Sequence, residues 1–168
     1  MINGVEVTYG QGHWNIFGLD PHAWIDFRIH HNDTLRYRKV VAKARKAGRL
    51  LVATPPYNLD FLYDVTPMDG IEVWNSAWSP ANERAVELWH TLLVGGNRKF
   101  AVASTDFHRG GNIASPHTVV RAEALSAEAV IDAIAAGRSY VARDTSAEIG
   151  MQVRNSATPV QHADIGDT

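Results

Sequence analysis

Phe100-Ala101-Val102-Ala103-Ser104-Thr105-Asp106-Phe107-His108 is a short apolar run that ends in a carboxylate and an imidazole two residues apart. Small and β-branched residues after an aromatic predict a buried strand, with polar residues beginning where the strand leaves its sheet. Asp106 and His108 then stand at a strand's carboxyl end, the edge at which α/β proteins bind ligands and metals. In extended chain an Asp-x-His pair points both side chains to one side, so an oxygen and a nitrogen donor could meet one divalent ion. Taken alone, the commoner meaning of such a pair is an aspartate that caps a turn and a surface histidine.

Immediately upstream, Gly70-Ile71-Glu72-Val73-Trp74-Asn75 reads as another strand. Ser79-Pro80 then predicts an N-cap and first helical residue, with Ala85, Val86, Trp89, Leu92 and Leu93 as the apolar face before Gly95-Gly96. Leu50-Leu51-Val52-Ala53 is a continuous apolar run, as a strand buried on both faces requires, and Thr54-Pro55-Pro56 stops it. This middle portion alternates strand and helix and predicts parallel βα units rather than a sheet built from hairpins.

Before it, a helix is predicted from Asp33, with Leu35, Val40, Val41, Ala44 and Ala47 as its stripe and Gly48 beyond its end. Its many arginines and lysines read as a solvated outer face. His30 and His31 are adjacent, so they point opposite ways and are taken as surface residues. At the start, Val5-Glu6-Val7-Thr8 predicts a strand with Glu6 and Thr8 on one side. A turn at Gly10-Gln11-Gly12 and a second extended segment, His13 to Leu19, follow, so that Glu6 and His13 could meet across the turn.

Downstream of His108, Gly110-Gly111 predicts a loop and Val119-Val120 resumes extended structure. Ser126 caps a helix with Leu125 and Val130 as a hydrophobic staple, Glu128 in the first turn and Gly137 past the end. Ser139 to Ala142 is a short strand, and Ile149 to Val153 is a candidate for one more.

In 168 residues there is room for one domain, and 45% hydrophobic with 20% charged residues is ordinary globular usage. Sixteen Lys+Arg against eighteen Asp+Glu give a formal charge of -2, which argues against a broad nucleic-acid interface. With no cysteine, thiolate catalysis and Cys-ligated zinc are excluded. No apolar stretch approaches the roughly 20 residues of a membrane span, and Met1-Ile2-Asn3-Gly4 lacks the features of a signal peptide. A cytoplasmic chain with no membrane partner is expected.

Four stretches taken together carry a family likeness: Gly4-Val5-Glu6-Val7-Thr8, Gly12-His13-Trp14-Asn15 with Phe17-Gly18-Leu19, Ile71-Glu72-Val73-Trp74-Asn75, and Ser104-Thr105-Asp106-Phe107-His108. In this order they resemble the later motifs of the PHP (polymerase and histidinol phosphatase) superfamily, and in particular its CehA/McbA-like metallohydrolases. The segment ending Ala136-Gly137-Arg138-Ser139-Tyr140-Val141 is similar to the same branch. The likeness covers about residues 4 to 143.

The fold implied is α/β: part of a distorted (β/α)7-type PHP barrel with mainly parallel strands and metals at the strands' carboxyl ends. Glu6 then corresponds to a metal-bridging carboxylate, His13 to a metal-ligating histidine, and Asp106 and His108 to the ligand pair of the last motif. The resemblance implies that all four are catalytic as well. Asn75, Arg109 and His117 are candidates to touch substrate or to support the ligands. The implied cofactors are divalent ions (Zn, Mn or Fe), two or three in the family and fewer here. The implied chemistry is hydrolysis of a small-molecule phosphoester, or of a carbamate or carboxylic ester, by a metal-activated water.

Two departures bear on this. The family begins with a His-x-His strand and a later Asp-His motif, neither of which occurs here, and Ala53-Thr54-Pro55 stands where the family has histidine before proline. A threonine hydroxyl is a weak substitute for imidazole. Residues 1–145 are therefore expected to be the C-terminal portion of a PHP-like domain, and 146–168 the start of an appended β segment or tail. A gene fragment, a reduced homologue and half of an assembled barrel all fit the sequence, as does a catalytically inactive structural or interaction fragment. Uncovered strand edges predict self-association.

Overall fold

The structure is a computed structural model that describes residues 1–9, 12–26, 28–30, 33–55, 64–110, 113–146, 149, 151–153 and 161–163. Strands β1 (Gly4–Tyr9), β2 (Gly12–Phe17), β3 (Leu50–Thr54), β4 (Gly70–Asn75) and β5 (Phe100–Ser104) form one sheet in the order of the sequence. The β1–β2 and β2–β3 pairings are antiparallel, and the β3–β4 and β4–β5 pairings are parallel. Four strands thus share one direction and β2 runs against them.

The sheet is mainly parallel in direction, as expected, and the turn expected before His13 joins an antiparallel β1–β2 pair, but the antiparallel β2–β3 pairing departs from the barrel of βα units that the resemblance implies. The β1–β2 reversal follows from its short connection, since parallel neighbours need a long crossover; β3, reached through the long segment 18–49, takes the direction of β1 and so runs against β2. The sheet's two end strands, β1 and β5, do not pair with each other among the described residues.

Helix α1 (Thr34–Ala47) begins at Asp33, whose carboxylate accepts from Arg36 N at 2.8 Å, and ends at Gly48, whose N–H donates to Ala44 O. Tyr37, Val40, Val41 and Ala44 are buried, but Leu35 is 64% exposed. Tyr37 takes the place expected of Leu35, anchored by its hydroxyl to Asp64 O at 2.7 Å. Helix α2 (Pro80–Val94) follows Ser79 and packs Val86, Trp89 and Leu92 on the core, whereas Leu93 lies on its outer side. Helix α3 (Ala127–Ala135) is capped by Ser126 Oγ, which accepts from Ala129 N. The staple is not formed, because Leu125 stands fully in solvent and cannot cover Val130.

Strands β6 (His117–Val120) and β7 (Ser139–Ala142) pair antiparallel beside β5, where the Thr118 hydroxyl bonds both Ala103 N and Ala103 O. Strands β8 (Met151–Val153) and β9 (Gln161–Ala163) form a further antiparallel pair, so the expected strand near residue 150 is present. Gln11 and Gly10 of the first turn, His31, Gly111 and the tail at 164–168 lie outside the described residues.

Alternation of side chains assigns the two faces of the sheet. Val7, Trp14, Ile16, Leu51, Ala53, Ile71 and Val73 join the α1 residues in one core. The cross-strand partners Thr8, His13 and Thr54, together with Glu6, Asn15 and Val52, share the opposite face. On β4 and β5 that face carries Glu72, Val102 and, past a bulge, Asn75 and Ser104. Glycine at 70 is needed there, since a Cβ would lie 2.1 Å from the Phe100 ring.

Candidate functional site

Glu6 and His13 are brought together by the register of β1 and β2. Thr8 faces His13 directly, and Glu6, two residues earlier on the same side, reaches His13 Nδ1 with Oε1 at 2.7 Å. The Thr8 hydroxyl donates to the same oxygen at 3.1 Å. A carboxylate oxygen only accepts, so Nδ1 of His13 carries its proton, which leaves Nε2 as the nitrogen with a lone pair in the neutral ring.

Asp106 and His108 form a second pair by a different route from the one expected. β5 ends at Ser104, and Asp106 has φ of 46°, in the left-handed region, so the Asp-x-His stretch is a turn and not extended chain. His108 Nδ1 donates to the Asp106 carbonyl at 2.7 Å and lies 3.5 Å from the Asp106 carboxylate. That bond, together with the negative charge of Asp106, raises the His108 pKa. It also commits Nδ1 to the proton, and Nε2 has no partner among the described residues.

Behind the second pair lies a buried polar network. Ser76, also left-handed at φ 54°, bonds Ser104 O through its N–H at 2.9 Å and Thr105 O through its hydroxyl at 2.8 Å. Asn82, wholly buried, accepts from Asn75 N at 3.0 Å and donates to Ala77 O at 3.0 Å and to Asn75 O at 3.3 Å. Two non-glycine residues in a strained region on adjacent strand ends persist because these bonds over-determine the backbone there.

Glu72 is 4% exposed, accepts from Ser104 Oγ, and lies 3.3 Å from Asn75 Nδ2. Burial pushes its pKa up to about 7, with the Ser104 and Asn75 bonds opposing and the charges of Asp106 and Glu6 adding to the rise. Its carboxyl therefore feels both donor pairs.

Thr54 sits opposite His13 on the same face, and its buried Oγ1 has no hydrogen-bond partner among the described residues. Arg109 is exposed, while His117, the first residue of β6, gives Nδ1 to Ala114 O at 2.8 Å. No hydrogen bond or ion pair among the described residues joins either to the two pairs. Asn75 supports Glu72. Nothing in the sequence marks Ser76, Asn82 and Ser104 for this network: an Asn in the polar first turn of α2, Pro80-Ala81-Asn82-Glu83-Arg84, carries no signal of burial.

The donor chemistry fits a divalent cation of borderline hardness. It offers carboxylates and imidazoles, ring tautomers set by a bond to the far nitrogen as ligating histidines require, and an orphaned buried hydroxyl beside them. Their positions do not form one cluster: among the described residues no three His, Asp or Glu side chains are gathered as one ion would need.

No family model matches the sequence, and a search of curated proteins finds no match. Among solved structures, the chain is similar to a two-domain protein from Bacteroides vulgatus ATCC 8482 containing a predicted PHP-like metal-dependent phosphoesterase. The TM-score is 0.62 at 19% identity, covering 83% of this chain and 43% of that one. The chain thus spans less than half the length of that protein. At this identity the likeness is one of architecture alone: the described strands and helices follow the fold of part of that protein.

Proposed function

We propose that the face bearing Glu6, His13, Asp106 and His108 is the metal-binding part of a hydrolase site of the PHP type, in the CehA/McbA-like branch, within a barrel-derived fold. The observation that carries this is the presence of two carboxylate–imidazole pairs at one end of one sheet, with the buried Glu72 carboxyl within electrostatic reach of both. The substrate class is a small phosphoester, or a carbamate or carboxylic ester. Glu6, His13, Asp106 and His108 would hold the metal (Zn, Mn or Fe), which when bound lowers the pKa of a water and offsets charge on the substrate oxygen.

The protein's own groups prepare that step. Asp106 O and Glu6 Oε1 hold each imidazole in the tautomer that presents Nε2. The Ser76 bonds to Ser104 O and Thr105 O hold the entry to the turn carrying Asp106, and Asn82 holds the backbone of Asn75 beside Ser76. Arg109, exposed one residue after His108, offers a guanidinium to an anionic substrate group. The test is titration of the metal-free chain with Zn, Mn and Fe(II) by calorimetry, followed by hydrolysis of 4-nitrophenyl phosphate and 4-nitrophenyl acetate. Binding and metal-stimulated turnover that both vanish in Glu6→Gln and His108→Ala are expected.

A second reading, a non-catalytic fragment that keeps the packing without the chemistry, is favoured by one observation, that no three donors are gathered among the described residues. A chain that binds no ion and shows no metal-stimulated turnover establishes it. Either reading goes with self-association through the outer edge of β1, whose backbone groups face no neighbouring strand among the described residues. Sedimentation as a monomer at all concentrations would refute that part.

A further inference from the structure

Positive charge is concentrated on α1 and its end. Residues 34–49 contain seven of the sixteen Lys+Arg and no Asp or Glu, whereas the rest of the chain has nine Lys+Arg against eighteen Asp+Glu. Arg36, Arg45 and Arg49 are paired with Asp26, Asp69 and Asp132. Arg38, Lys39, Lys43 and Lys46 are exposed and make no hydrogen bond or ion pair among the described residues. Lys39 and Lys43 stand one helical turn apart, as do Lys43 and Lys46, and like charges at that spacing destabilise a helix. A charged face kept for solubility alone is better served by mixing the two signs.

This face also has a shape. Between α1 and the segment 64–67 runs a groove of about 410 Å³. Val41, Ala42 and Pro67 give it apolar lining, and Arg38 and Arg45, two helical turns apart, give it charge. Asp64 lines it too, with its carboxylate already accepting from Thr66 N at 2.8 Å. A guanidinium has five N–H donors. Arg45 uses two of them on Asp69 and Pro67 O, and Arg38 keeps all of its own. Lys39, Lys43 and Lys46 form the adjoining ridge of the helix, and at a helical rise of about 1.5 Å per residue the exposed face from Leu35 to Lys46 is about 16 Å long.

We propose that this groove and ridge dock a short acidic peptide segment of a partner protein. About five residues of extended chain span the face, with carboxylates on Arg38, Lys39 and Lys43 and an apolar side chain against Val41 and Pro67. Nucleic acid and an anionic bilayer also seek positive charge. Each extends beyond this face, over a body in which acidic residues outnumber basic ones by nine, and neither surface enters a groove. Val40, Val41 and Ala44 pack α1 on the core face of the sheet, opposite Glu6 and His13, so the docking is independent of the hydrolase reading.

The test uses the full chain and a fluorescent ten-residue peptide of glutamate with two leucines, followed by anisotropy. The same peptide with glutamine for glutamate, a short DNA duplex and phosphatidylserine vesicles are the comparison probes. Saturable binding of the glutamate peptide, weakening as salt is raised, is expected. The double change Lys39→Gln and Lys43→Gln should lower its affinity at least tenfold. Ala42→Trp, which fills the groove and leaves every charge in place, should do the same. Lys43→Glu should abolish binding and yet raise Tm, because it turns two like-charge contacts into opposite-charge ones; loss of the fold then cannot explain loss of the peptide. No saturable binding, equal binding of the glutamine peptide, affinity unchanged by Ala42→Trp, or tighter binding to DNA or vesicles than to the peptide would each overturn the assignment.

Discussion

At the β1–β2 side of the site, Glu6 and His13 stand half-exposed on strands whose opposite face is packed by Val7, Trp14 and Ile16, all fully buried. At the β4–β5 side, Asp106 and His108 stand on a turn whose entry is tied from behind by Ser76, which sits beside Asn75 and the Asn82 that holds it. One pair is positioned by apolar packing through strand register, the other by hydrogen bonds through strained backbone. Packing fixes which face a residue takes; only directed bonds hold a left-handed aspartate in place. A site drawing on both kinds should respond differently to damage on its two sides.

The largest effect is expected from Trp14→Ala. It removes a fully buried indole from the core and should cost about 4 kcal/mol, measured by urea unfolding. Because Trp14 acts through packing, the loss should be independent of pH. Asn82→Ala leaves Asn75 N and two carbonyls without partners and should cost about 3 kcal/mol. In that variant the His108 NMR signal should shift while that of His13 does not. Equal disturbance of both histidines would dissolve the distinction between the two sides.

Glu72 gives the comparison a pH axis. Its folded pKa is raised from 4.5 to about 7, so between those values the folded state binds more protons than the unfolded one. Stability should therefore fall as pH rises through this window, by at most about 3 kcal/mol, and level off above it. Glu72→Gln should flatten this slope. An unchanged slope in the variant would assign the titration elsewhere. The smallest effect is expected from Thr54→Val, which replaces a buried hydroxyl with no hydrogen-bond partner among the described residues by a methyl of similar size and should stabilise by about 1 kcal/mol. Destabilisation on melting would mean that the hydroxyl has a partner.

Much of this could be read from residues in order. The strand before Asp106, the buried run at Leu50 and the caps at Asp33 and Ser126 all follow from local pattern, because alternation, continuity and capping act within a few residues. The meeting of Glu6 with His13 was legible for the same reason, since a short turn leaves few registers. The Leu125 staple and the Leu35 stripe position failed where a distant surface, not the local pattern, decides burial.

By itself, then, the chain's order of residues determined which segments are strands and helices and which side chains could act as metal donors. It determined these because secondary structure and donor chemistry are local properties. Only the tertiary structure decided that β2 runs against β3, that Asn82 is buried and holds the end of β4, and that Glu72 is buried within electrostatic reach of both pairs. Those facts depend on which surfaces meet across the sheet. Burial changes the energy of a polar group more than its identity does, so no reading along the chain could have supplied them.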